Sequence, residues 1–496
     1  MNIEQNSQRS DWIYDVLIVG AGPVGLATAI GLRQRGIENI LVIDRTHDFR
    51  RVGQIVDILP NGLKALKYID LQAYEQVKAA ELNLLAPPTD RADAKTDKPP
   101  QQRAWHQKNF QGKITRSIPL EITTWCDLYG EGRASLQWFD LQTILRNLLP
   151  SEIVRVNHRC IEMSQRNDCL QINCITDRAA NPNPFAHWEM QPVSSSAADL
   201  TSPMPNTSVE NTEPIDSAKR TLPERQFRAK LVVAADGINS TLRQSIYQNS
   251  ELSEWATPDY SGFSAIGCLE IENVPESMIQ ELERKYFQGA RMVTLADDIV
   301  AAESQAVERP RLRLIRRAEN TIGYLLHTPL SLDSLENKSS AEIVELAVDI
   351  LKTANFPQIF HSLIQLSNSD KLIYRPYYIH PTNIPASQPI WSSGRVVLVG
   401  DAAHGMPPFT AQGANQGFED AATISALIAK AIDNNLGDDD QSIADLFGKY
   451  ERLRRPVLLE VQAATMKSHS WSQADWDIYN DRIYRRDLGR LIDDLL

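Results

Sequence analysis

The sequence predicts an α/β protein in which a block of antiparallel strands interrupts a parallel sheet, with a helical segment after it. Three observations support this prediction. A strand, a glycine-rich turn, a helix and a second strand succeed one another over residues 14–43. Short alternating apolar runs fill residues 260–375, which is typical of an antiparallel sheet. Beyond residue 421 the apolar residues recur mostly at helical spacing.

The first unit carries the pattern of a dinucleotide-binding turn. A β-prone run (Tyr14–Val19) leads into a glycine-rich turn and a helix, and a second buried strand (Ile40–Ile43) ends at Asp44. In such turns the first two glycines allow a tight bend and close backbone approach to a pyrophosphate, and the third lets helix and strand pack closely. A carboxylate about 20 residues later accepts hydrogen bonds from a ribose. This Rossmann-like unit predicts cofactor binding by Gly20, Gly22, Pro23, Val24 and Gly25.

Two further strand-to-turn junctions lie far along the chain. One ends in Asp236 and Gly237, and the other in Gly400 and Asp401. A loop rich in glycine and alanine follows the second junction and opens into a helix predicted over about residues 417–429. A strand that ends in a carboxylate before a helix N-terminus is suited to a sugar-phosphate ligand. The P-loop lysine is missing, so a nucleoside triphosphate is not the expected ligand.

Composition limits the class of protein. A chain of 496 residues, 42% hydrophobic and 23% charged, is expected to be globular with two domains or lobes. The formal charge of -12 argues against nucleic acid or an anionic membrane as partner. Five cysteines without a CxxC pair or metal-ligand spacing are expected to be reduced thiols. With no signal-peptide core and no apolar run long enough to span a membrane, we expect a cytoplasmic protein.

Composition shifts also predict how the chain is divided. We expect a cofactor domain at residues 12–259 and 376–435, an antiparallel-sheet substrate domain at 260–375 and a helical segment at 436–496. Polar stretches at about 85–103 and 177–225 are predicted to be insertions without regular structure. Because the antiparallel block separates two pieces of the cofactor domain, it is placed to hold a substrate against the cofactor.

Taken in order, the three motifs resemble one known family. GAGPVG with Asp44-Arg45, then AADGINSTLR, then GDAAHGMPPFTAQGANQGFED follow the order found in the single-component (group A) FAD-dependent aromatic monooxygenases, the para-hydroxybenzoate hydroxylase-like group. The resemblance extends from about Tyr14 to Arg455, outside the polar insertions. The ending PF-x-x-QG-x-N-x-GFED is similar to the kynurenine hydroxylase branch, whose membrane anchor has no counterpart here.

This resemblance implies roles for individual residues. Besides the turn glycines and the ribose-binding Asp44, Arg45 would lie near the adenine half of FAD and Arg51 near the flavin. Asp236 and Gly237 would serve both FAD and the nicotinamide cofactor. Gly400 and Asp401 would bind the ribityl and phosphate region.

The loop after Asp401 would contact the flavin ring itself. Pro407 and Pro408 would lie against the ring edge, and this ring environment also includes Gly413. Backbone N–H donors to the flavin carbonyls would come from Gln412, Gly413, Ala414 and Asn415. The chain departs from the family at Trp138, where an arginine usually precedes the Asp-Leu pair of the middle helix.

The resemblance also implies an activity. FAD, reduced by NAD(P)H, would react with O₂ to a flavin hydroperoxide that hydroxylates or epoxidises an aromatic or apolar small molecule. We therefore expect an FAD-dependent monooxygenase. The alternatives are an isoprenoid reductase of the geranylgeranyl type, which shares much of this scaffold, and a flavoprotein without catalysis. A flavin halogenase would carry a WxWxIP string, which is absent.

For several side chains the sequence allows two interpretations. His404 is either a base or a packing residue, while His327 and His380 are most simply structural. Arg311 and Arg313 alternate onto one strand face and either bind a carboxylate or face solvent. Three tyrosines either line an aromatic pocket or pack within a sheet: Tyr374, Tyr377 and Tyr378. The sequence shows no nucleophile constellation and no metal site.

Overall fold

The protein is described by a computed structural model at residues 12–46, 55–81, 104–166, 168–176, 224–297, 309–318, 320–387, 389–468 and 471–496. Arg51, to which the sequence assigns a flavin contact, lies outside these residues. The same holds for the whole predicted insertion at 85–103 and for residues 177–223 of the second insertion.

The strands in the described residues are β1 (Ile13–Val19), β2 (Ile40–Ile43), β3 (Ile55–Ile58), β4 (Ala104–Lys108), β5 (Ile114–Pro119), β6 (Ala134–Gln137), β7 (Val154–Arg155), β8 (Arg159–Gln165), β9 (Leu170–Ile175), β10 (Glu224–Ala234), β11 (Asp259–Ile271), β12 (Met292–Leu295), β13 (Arg311–Ala318), β14 (Thr321–Pro329), β15 (Leu372–Ile379), β16 (Ser392–Ser393) and β17 (Val396–Leu398). 

The α-helices are α1 (Pro23–Gln34), α2 (Pro60–Ile69), α3 (Leu71–Ala79), α4 (Ile122–Tyr129), α5 (Trp138–Asn147), α6 (Thr241–Tyr247), α7 (Glu276–Leu282), α8 (Ser340–Thr353), α9 (Gln358–Gln365), α10 (Asp401–His404), α11 (Gly413–Asp433), α12 (Asp440–Lys467), α13 (Gln473–Tyr484) and α14 (Leu488–Asp493).

The first sheet is built on parallel strands in the order β17-β10-β1-β2-β7. Antiparallel strands extend it: β16 lies beside β17, and the β8–β9 pair lies along the first half of β10, on the same side as β17. All four residues of β2 are buried, as expected where helices cover both faces of a parallel sheet. This Rossmann-like arrangement confirms the predicted fold class.

One long helix, α11, joins the sheet to its helical cover. It packs against α1, where Gly31 lies beside the Ser425 side chain and Gly417 beside the Val24 side chain. A Cβ at Gly417 would overlap that Val24 side chain, so glycine is needed for this close approach. The packing fixes the N-terminus of α11 next to the turn that begins α1.

The second sheet has the order β15-β11-β14-β13-β12-β4-β5 and is antiparallel except where β12 pairs with β4. Helices α7, α8 and α9 cover one face, and their buried side chains form a second apolar core with those of the strands. The opposite face is turned toward the first sheet, since Phe263 and Tyr377 of this face contact Phe409 of the third motif.

The sequence pattern misplaced two helix starts and left several strands unassigned. Helical spacing of apolar residues over 136–149 predicts a helix from Leu136, but the helix begins at Trp138, because Leu136 belongs to β6 and pairs with Val56 of β3. The helix predicted from residue 417 begins at Gly413. Strands β4 and β5, to which the sequence pattern gave no assignment, complete the edge of the second sheet.

Candidate functional site

The three sequence motifs meet at one edge of the first sheet. Strands β17, β10, β1 and β2 are neighbours and run parallel. Their carboxyl ends lead respectively to Asp401, Asp236, the glycine turn and Asp44. The crevice at the carboxyl ends of such strands is where sheets of this type bind ligands. We call the space at these four strand ends the strand-end crevice.

The glycine turn is shaped by close packing at two positions and by open space at a third. A Cβ on Gly20, whose φ is +110, would overlap the Ala235 carbonyl, and a Cβ on Gly25 would overlap the Gly20 carbonyl. At Gly22, in contrast, a Cβ would meet no atom within 4 Å. Gly22 is the N-cap of α1 and provides no side-chain cap, so the first N–H groups of the helix face this open space.

Asp44 is positioned by the same turn. Its Oδ2 accepts a hydrogen bond from the Ala21 N–H at 2.7 Å, and its Oδ1 accepts one from the Thr46 N–H at 2.7 Å. The Gln142 amide donates to the Ala21 carbonyl at 2.8 Å and supports the turn from α5. Each carboxylate oxygen keeps acceptor capacity for a ribose hydroxyl. The neighbouring Arg45 is exposed.

Asp236 caps the short helix α6. Its carboxylate accepts hydrogen bonds from the Ser240 hydroxyl at 2.6 Å and from the Thr241 N–H at 2.8 Å. Burial raises the pKa of this carboxyl, although these hydrogen bonds oppose the shift. Gly237 follows with φ of +81, a left-handed conformation that favours glycine.

Arg243 links the second motif to the third, a role that the sequence pattern did not reveal. Its guanidinium is fully buried and donates to the carbonyls of Ile238 at 2.7 Å, Ala402 at 3.0 Å and Ala256 at 3.2 Å. A planar group with five N–H donors can satisfy three carbonyls at once. In the sequence, the only indication of this role was the position of Arg243 at the end of AADGINSTLR.

The third motif places a carboxyl next to a helix N-terminus. A Cβ on Gly413, the first residue of α11, would lie 3.8 Å from Oδ1 of Asp401. The Asp401 side chain is accessible to solvent, yet burial by surrounding protein raises its pKa. Gly400 precedes it with φ of +59.

The loop between Asp401 and α11 places the two prolines differently. Pro407 is buried, whereas Pro408 is exposed and begins a 3₁₀ turn (Pro408–Thr410). Ala411 then adopts φ of +54, which is uncommon for a residue with a Cβ. The buried Gln412 is the N-cap of α11, and Gly413 and Ala414 are half-buried behind it. This loop meets both the crevice and the second sheet.

The Asn415 side chain ties the start of α11 to a segment far away in sequence. Its Oδ1 accepts from the Leu59 N–H at 2.8 Å, and its Nδ2 donates to the carbonyls of Asp57 at 2.9 Å and Ala411 at 2.7 Å. Asn61 from the same segment donates to Glu419 at 2.8 Å. These contacts hold the turn before α2 against α11, which sequence reasoning did not foresee.

His404 belongs to a buried ionic network and not to an accessible site. Its Nε2 lies 2.5 Å from Oδ2 of Asp420, and the Arg454 Nε donates to the other oxygen at 2.8 Å. Although burial alone would raise it, the adjacent His404 and Arg454 hold the pKa of the Asp420 carboxyl below its usual value. Of the two interpretations of His404, the geometry supports the packing one.

An aromatic cluster lies where the second sheet meets the third motif. The Phe409 ring is 5.1 Å from that of Phe263, 5.6 Å from that of His327 and 5.7 Å from that of Tyr377. The Tyr377 hydroxyl lies 3.2 Å from the His327 Nδ1. We call these four residues the aromatic cluster. Of the other two tyrosines, Tyr374 packs on the helix-covered core and Tyr378 against Tyr260.

A crevice at the carboxyl ends of parallel strands is typical of dinucleotide-binding folds. A family model described as "FAD binding domain" matches residues 13–55 and 387–465, which contain the first and third motifs. This match and the relatives below confirm the predicted resemblance to the FAD-dependent monooxygenases. FAD is the cofactor, and NAD(P)H is the co-substrate typical of the family.

Relatives across most of the chain support this assignment. The 3-amino-4-hydroxybenzoate 2-monooxygenase of Streptomyces cremeus is 24% identical over 90% of this chain and 84% of its own. A salicylate hydroxylase of Pseudomonas putida is 23% identical over 91% and 84%. The isoprenoid-reductase alternative is not favoured, because these relatives are monooxygenases.

Solved structures show the same fold. A salicylate hydroxylase in a substrate complex superposes with a TM-score of 0.62 at 17% identity, covering 98% of this chain and 99% of that one. HpxO of Klebsiella pneumoniae, solved with FAD and uric acid, superposes with a TM-score of 0.57 at 15% identity, covering 97% and 95%. None of the helices found in the described ranges is long and apolar enough to cross a membrane.

Proposed function

We propose that this chain binds FAD along the strand-end crevice and transfers one oxygen atom from O₂ to an aromatic small molecule, with NAD(P)H as reductant. The observation that carries the proposal is the meeting of three motifs at adjacent strand ends, with an aromatic cluster beside them. The cysteines of the described residues are free thiols, which supports a reducing, cytoplasmic location.

The residues of the crevice fit an elongated dinucleotide. Asp44 would bind the adenosine ribose, and the open space at Gly22 would admit the pyrophosphate to the N-terminus of α1. Asp401 would accept hydrogen bonds from the ribityl chain, and the N–H groups at the start of α11 would donate to the flavin carbonyls. The accessible but enclosed Asp401 carboxyl supports this assignment.

When bound, FAD supplies electron transfer from NAD(P)H and the activation of O₂ for oxygen transfer. The protein holds the cofactor and the substrate in position and keeps water out of the site. The α11 N-terminus stabilises negative charge that develops beside it, and Arg243 and Asn415 keep the surrounding loops in place. The aromatic cluster presents apolar surface to the substrate and excludes water.

We propose that the second sheet forms the substrate domain and that the aromatic substrate lies beside the aromatic cluster, where this sheet meets the loop at Pro407–Phe409. Support comes from the contacts of Phe409 with both His327 and Tyr377, which place this loop directly against the sheet. The names of the relatives, a salicylate hydroxylase and an aminohydroxybenzoate monooxygenase, support an aromatic substrate.

Oxygen uptake tests the activity. We expect the purified protein to be yellow and an aromatic substrate to accelerate NAD(P)H oxidation, with one atom of isotopically labelled O₂ recovered in the product. A flavoprotein without catalysis would hold FAD but show no substrate-dependent uptake. A reductase would consume NAD(P)H without incorporating oxygen.

The Asp401 assignment is tested by Asp401→Ala. Loss of the carboxylate removes charge-assisted hydrogen bonds to the cofactor, so we expect FAD affinity to fall by at least about tenfold. The ratio of flavin to protein absorbance after gel filtration measures this. Asp349→Ala, on the exposed surface of α8, is the control. Stoichiometric FAD in Asp401→Ala would contradict the assignment.

A further inference from the structure

The C-terminal segment places a charged side chain against α11, the helix that begins at the crevice. Arg486 lies between α13 and α14, with 16% of its side chain exposed, and its Nη2 is 3.0 Å from Oε2 of Glu419 on α11. Glu419 itself is buried. Arg486 lies beyond the part of the chain that carries the three motifs, and neither those motifs nor the aromatic cluster explains its position.

Arg486 joins a buried cluster of charges. Glu419 and Asp420 are adjacent carboxylates of α11, and the fully buried Arg454 of α12 pairs with both, its Nε donating to Asp420 at 2.8 Å. Asp420 also has His404 as a partner, at 2.5 Å. Burying a carboxylate costs free energy unless a cation is beside it. Glu419 therefore depends more than Asp420 on a second cation, and Arg486 provides one.

The contact between Arg486 and Glu419 is one of charge and not of hydrogen-bond direction. Both Nη atoms of Arg486 are buried, yet neither makes a hydrogen bond within the described residues. Coulomb attraction at 3.0 Å does not require an N–H bond to point at the oxygen. The positive charge at this position therefore matters more than the planar shape of the guanidinium.

Backbone and apolar contacts fix the place of Arg486. The Lys64 ammonium of α2 donates to the Tyr484 carbonyl at 2.7 Å, just before Arg486 in the chain. The buried Tyr484 belongs to an apolar cluster against which Met406 and Ala411 of the third-motif loop also pack. The C-terminal segment is thus docked on the loop that leads into α11, and this docking holds Arg486 beside the helix.

Charge beside Glu419 acts on the start of the same helix. At a rise of 1.5 Å per residue, Glu419 lies about 9 Å along the helix axis from Gly413. Charges in buried surroundings interact over such distances with little screening by salt. The proposed function places the flavin carbonyls at this helix end, where reduction adds negative charge to the flavin. One charge more or less at Glu419 should therefore change how readily the bound flavin is reduced.

Resting on the proposed function, we infer that Arg486 raises the reduction potential of the bound flavin from outside the crevice. It balances the negative charge of Glu419, so that the start of α11 stabilises the charge that reduction adds. Arg486 acts through Glu419 and the helix, which makes it a positioning residue and not a catalytic one. The C-terminal segment thereby contributes to the flavin site although it carries none of the three motifs.

The reduction potential of the bound flavin tests this inference on the full-length, FAD-loaded protein, by equilibrium reduction beside a dye of known potential. In Arg486→Gln we expect the equilibrium constant for reduction to fall about tenfold, which for two electrons is about 30 mV toward more negative potential. The dissociation constant of oxidised FAD should stay within about twofold of the wild-type value, because the oxidised flavin ring is uncharged.

Three further variants separate charge from packing. Arg486→Lys keeps the positive charge and should keep the wild-type potential. Adding Glu419→Gln to Arg486→Gln removes the unbalanced negative charge and should return the potential toward the wild-type value. Arg482→Gln is the control on α13, where an exposed guanidinium pairs with Glu460 at 3.2 Å, and it should leave the potential unchanged.

A shift of the opposite sign gives an independent test. Glu419→Gln alone removes a negative charge and retains Arg486, so we expect the potential to become more positive. A packing defect has no reason to shift the potential in this direction. This variant decides the matter if Arg486→Gln does not fold, and the absence of a positive shift would then overturn the inference.

The outcomes separate this inference from the proposed function. If Arg486→Gln binds FAD at the wild-type potential, the inference is wrong but the monooxygenase assignment stands. If Arg486→Lys shifts the potential as much as Arg486→Gln does, Arg486 acts by packing and the inference is overturned. If the wild-type protein takes up no FAD, the proposed function itself fails.

Discussion

His380 shows how the interior of this protein constrains a single residue. It is fully buried, and its Nδ1 lies 2.8 Å from the Ala403 carbonyl. Burial, with a contribution from the nearby Arg243, lowers the pKa of His380 to about 3. The imidazole is therefore neutral in the folded protein over the whole physiological range and holds the segment before Gly405 in place.

This depressed pKa predicts a pH dependence of stability. Below about pH 6.5 the unfolded chain binds a proton at His380 that the folded chain does not, so stability is fully present above that pH and falls as the pH decreases toward about 3. The slope attributable to one such histidine is up to about 1.4 kcal/mol per pH unit. Urea unfolding of the wild type and His380→Gln between about pH 4 and pH 6 measures it.

We expect His380→Gln to be less stable than the wild type near neutral pH, because the buried packing is altered, but to lose less stability on acidification. An equal loss in both proteins would show that His380 is protonated in the folded state. The comparison at a pH above the pKa of His380 in the unfolded chain, about 6.5, serves as the internal reference.

At the scale of elements, the turn between β1 and α1 contains glycine at two positions for two different reasons. Gly25 is needed because the protein itself occupies the space beside it, and Gly22 borders space that the protein leaves open. We therefore expect folding to depend on Gly25 and ligand binding on Gly22.

Substitution by alanine distinguishes these demands. Gly25→Ala should destabilise the apoprotein by several kcal/mol, because a backbone carbonyl cannot move away from the new methyl group. Gly22→Ala should leave the melting temperature of the apoprotein nearly unchanged and weaken FAD binding. Calorimetry of the apoproteins and fluorescence titration with FAD measure the two effects. Normal FAD affinity in Gly22→Ala would place the pyrophosphate elsewhere.

Local patterns predicted some elements well and others poorly, for a physical reason. β1 and β2 were found because their runs of apolar residues reflect burial by near neighbours. The partner of β4 is β12, far along the chain, so no local pattern marks it as a strand. The start of α11 was missed because glycines at 413 and 417 disfavour a helix that packing against α1 and α2 imposes.

The same limit applies to the site. Motif glycines and acids could be recognised because their spacing along the chain is fixed by one turn. Arg243 and Asn415 act through carbonyls of other segments, and such contacts leave no spacing pattern. The surroundings of Arg311 and Arg313 were likewise set by strand pairing and not by their own alternation.

For the whole molecule, Phe409 is a central contact between the two sheets. It comes from the third motif, yet its ring touches Phe263, His327 and Tyr377 of the second sheet. The Phe409 side chain therefore connects the loop at Pro407–Phe409 with the face of the second sheet that we propose to bind the substrate.

Phe409→Ala should weaken binding of the aromatic substrate by about tenfold or more while FAD remains bound, because its ring packs on Phe263, His327 and Tyr377 of the second sheet. The truncation also leaves a cavity, for which a loss of about 3 kcal/mol of stability is typical. Phe409→Leu restores apolar volume and is expected to recover stability without recovering substrate affinity. Loss of FAD from both variants would instead give the residue a role in cofactor binding.

The position of α11 and its Asn415 has a consequence for synthesis in the cell. The glycine turn leaves the ribosome early, whereas Asp401 and the helix that completes the crevice are translated only after most of the chain. Asn415 then forms hydrogen bonds with the backbone at Asp57 and Leu59, a segment that was translated much earlier. On the proposed binding mode, the segments that bind the adenosine half of the cofactor are therefore synthesised long before those that bind the flavin.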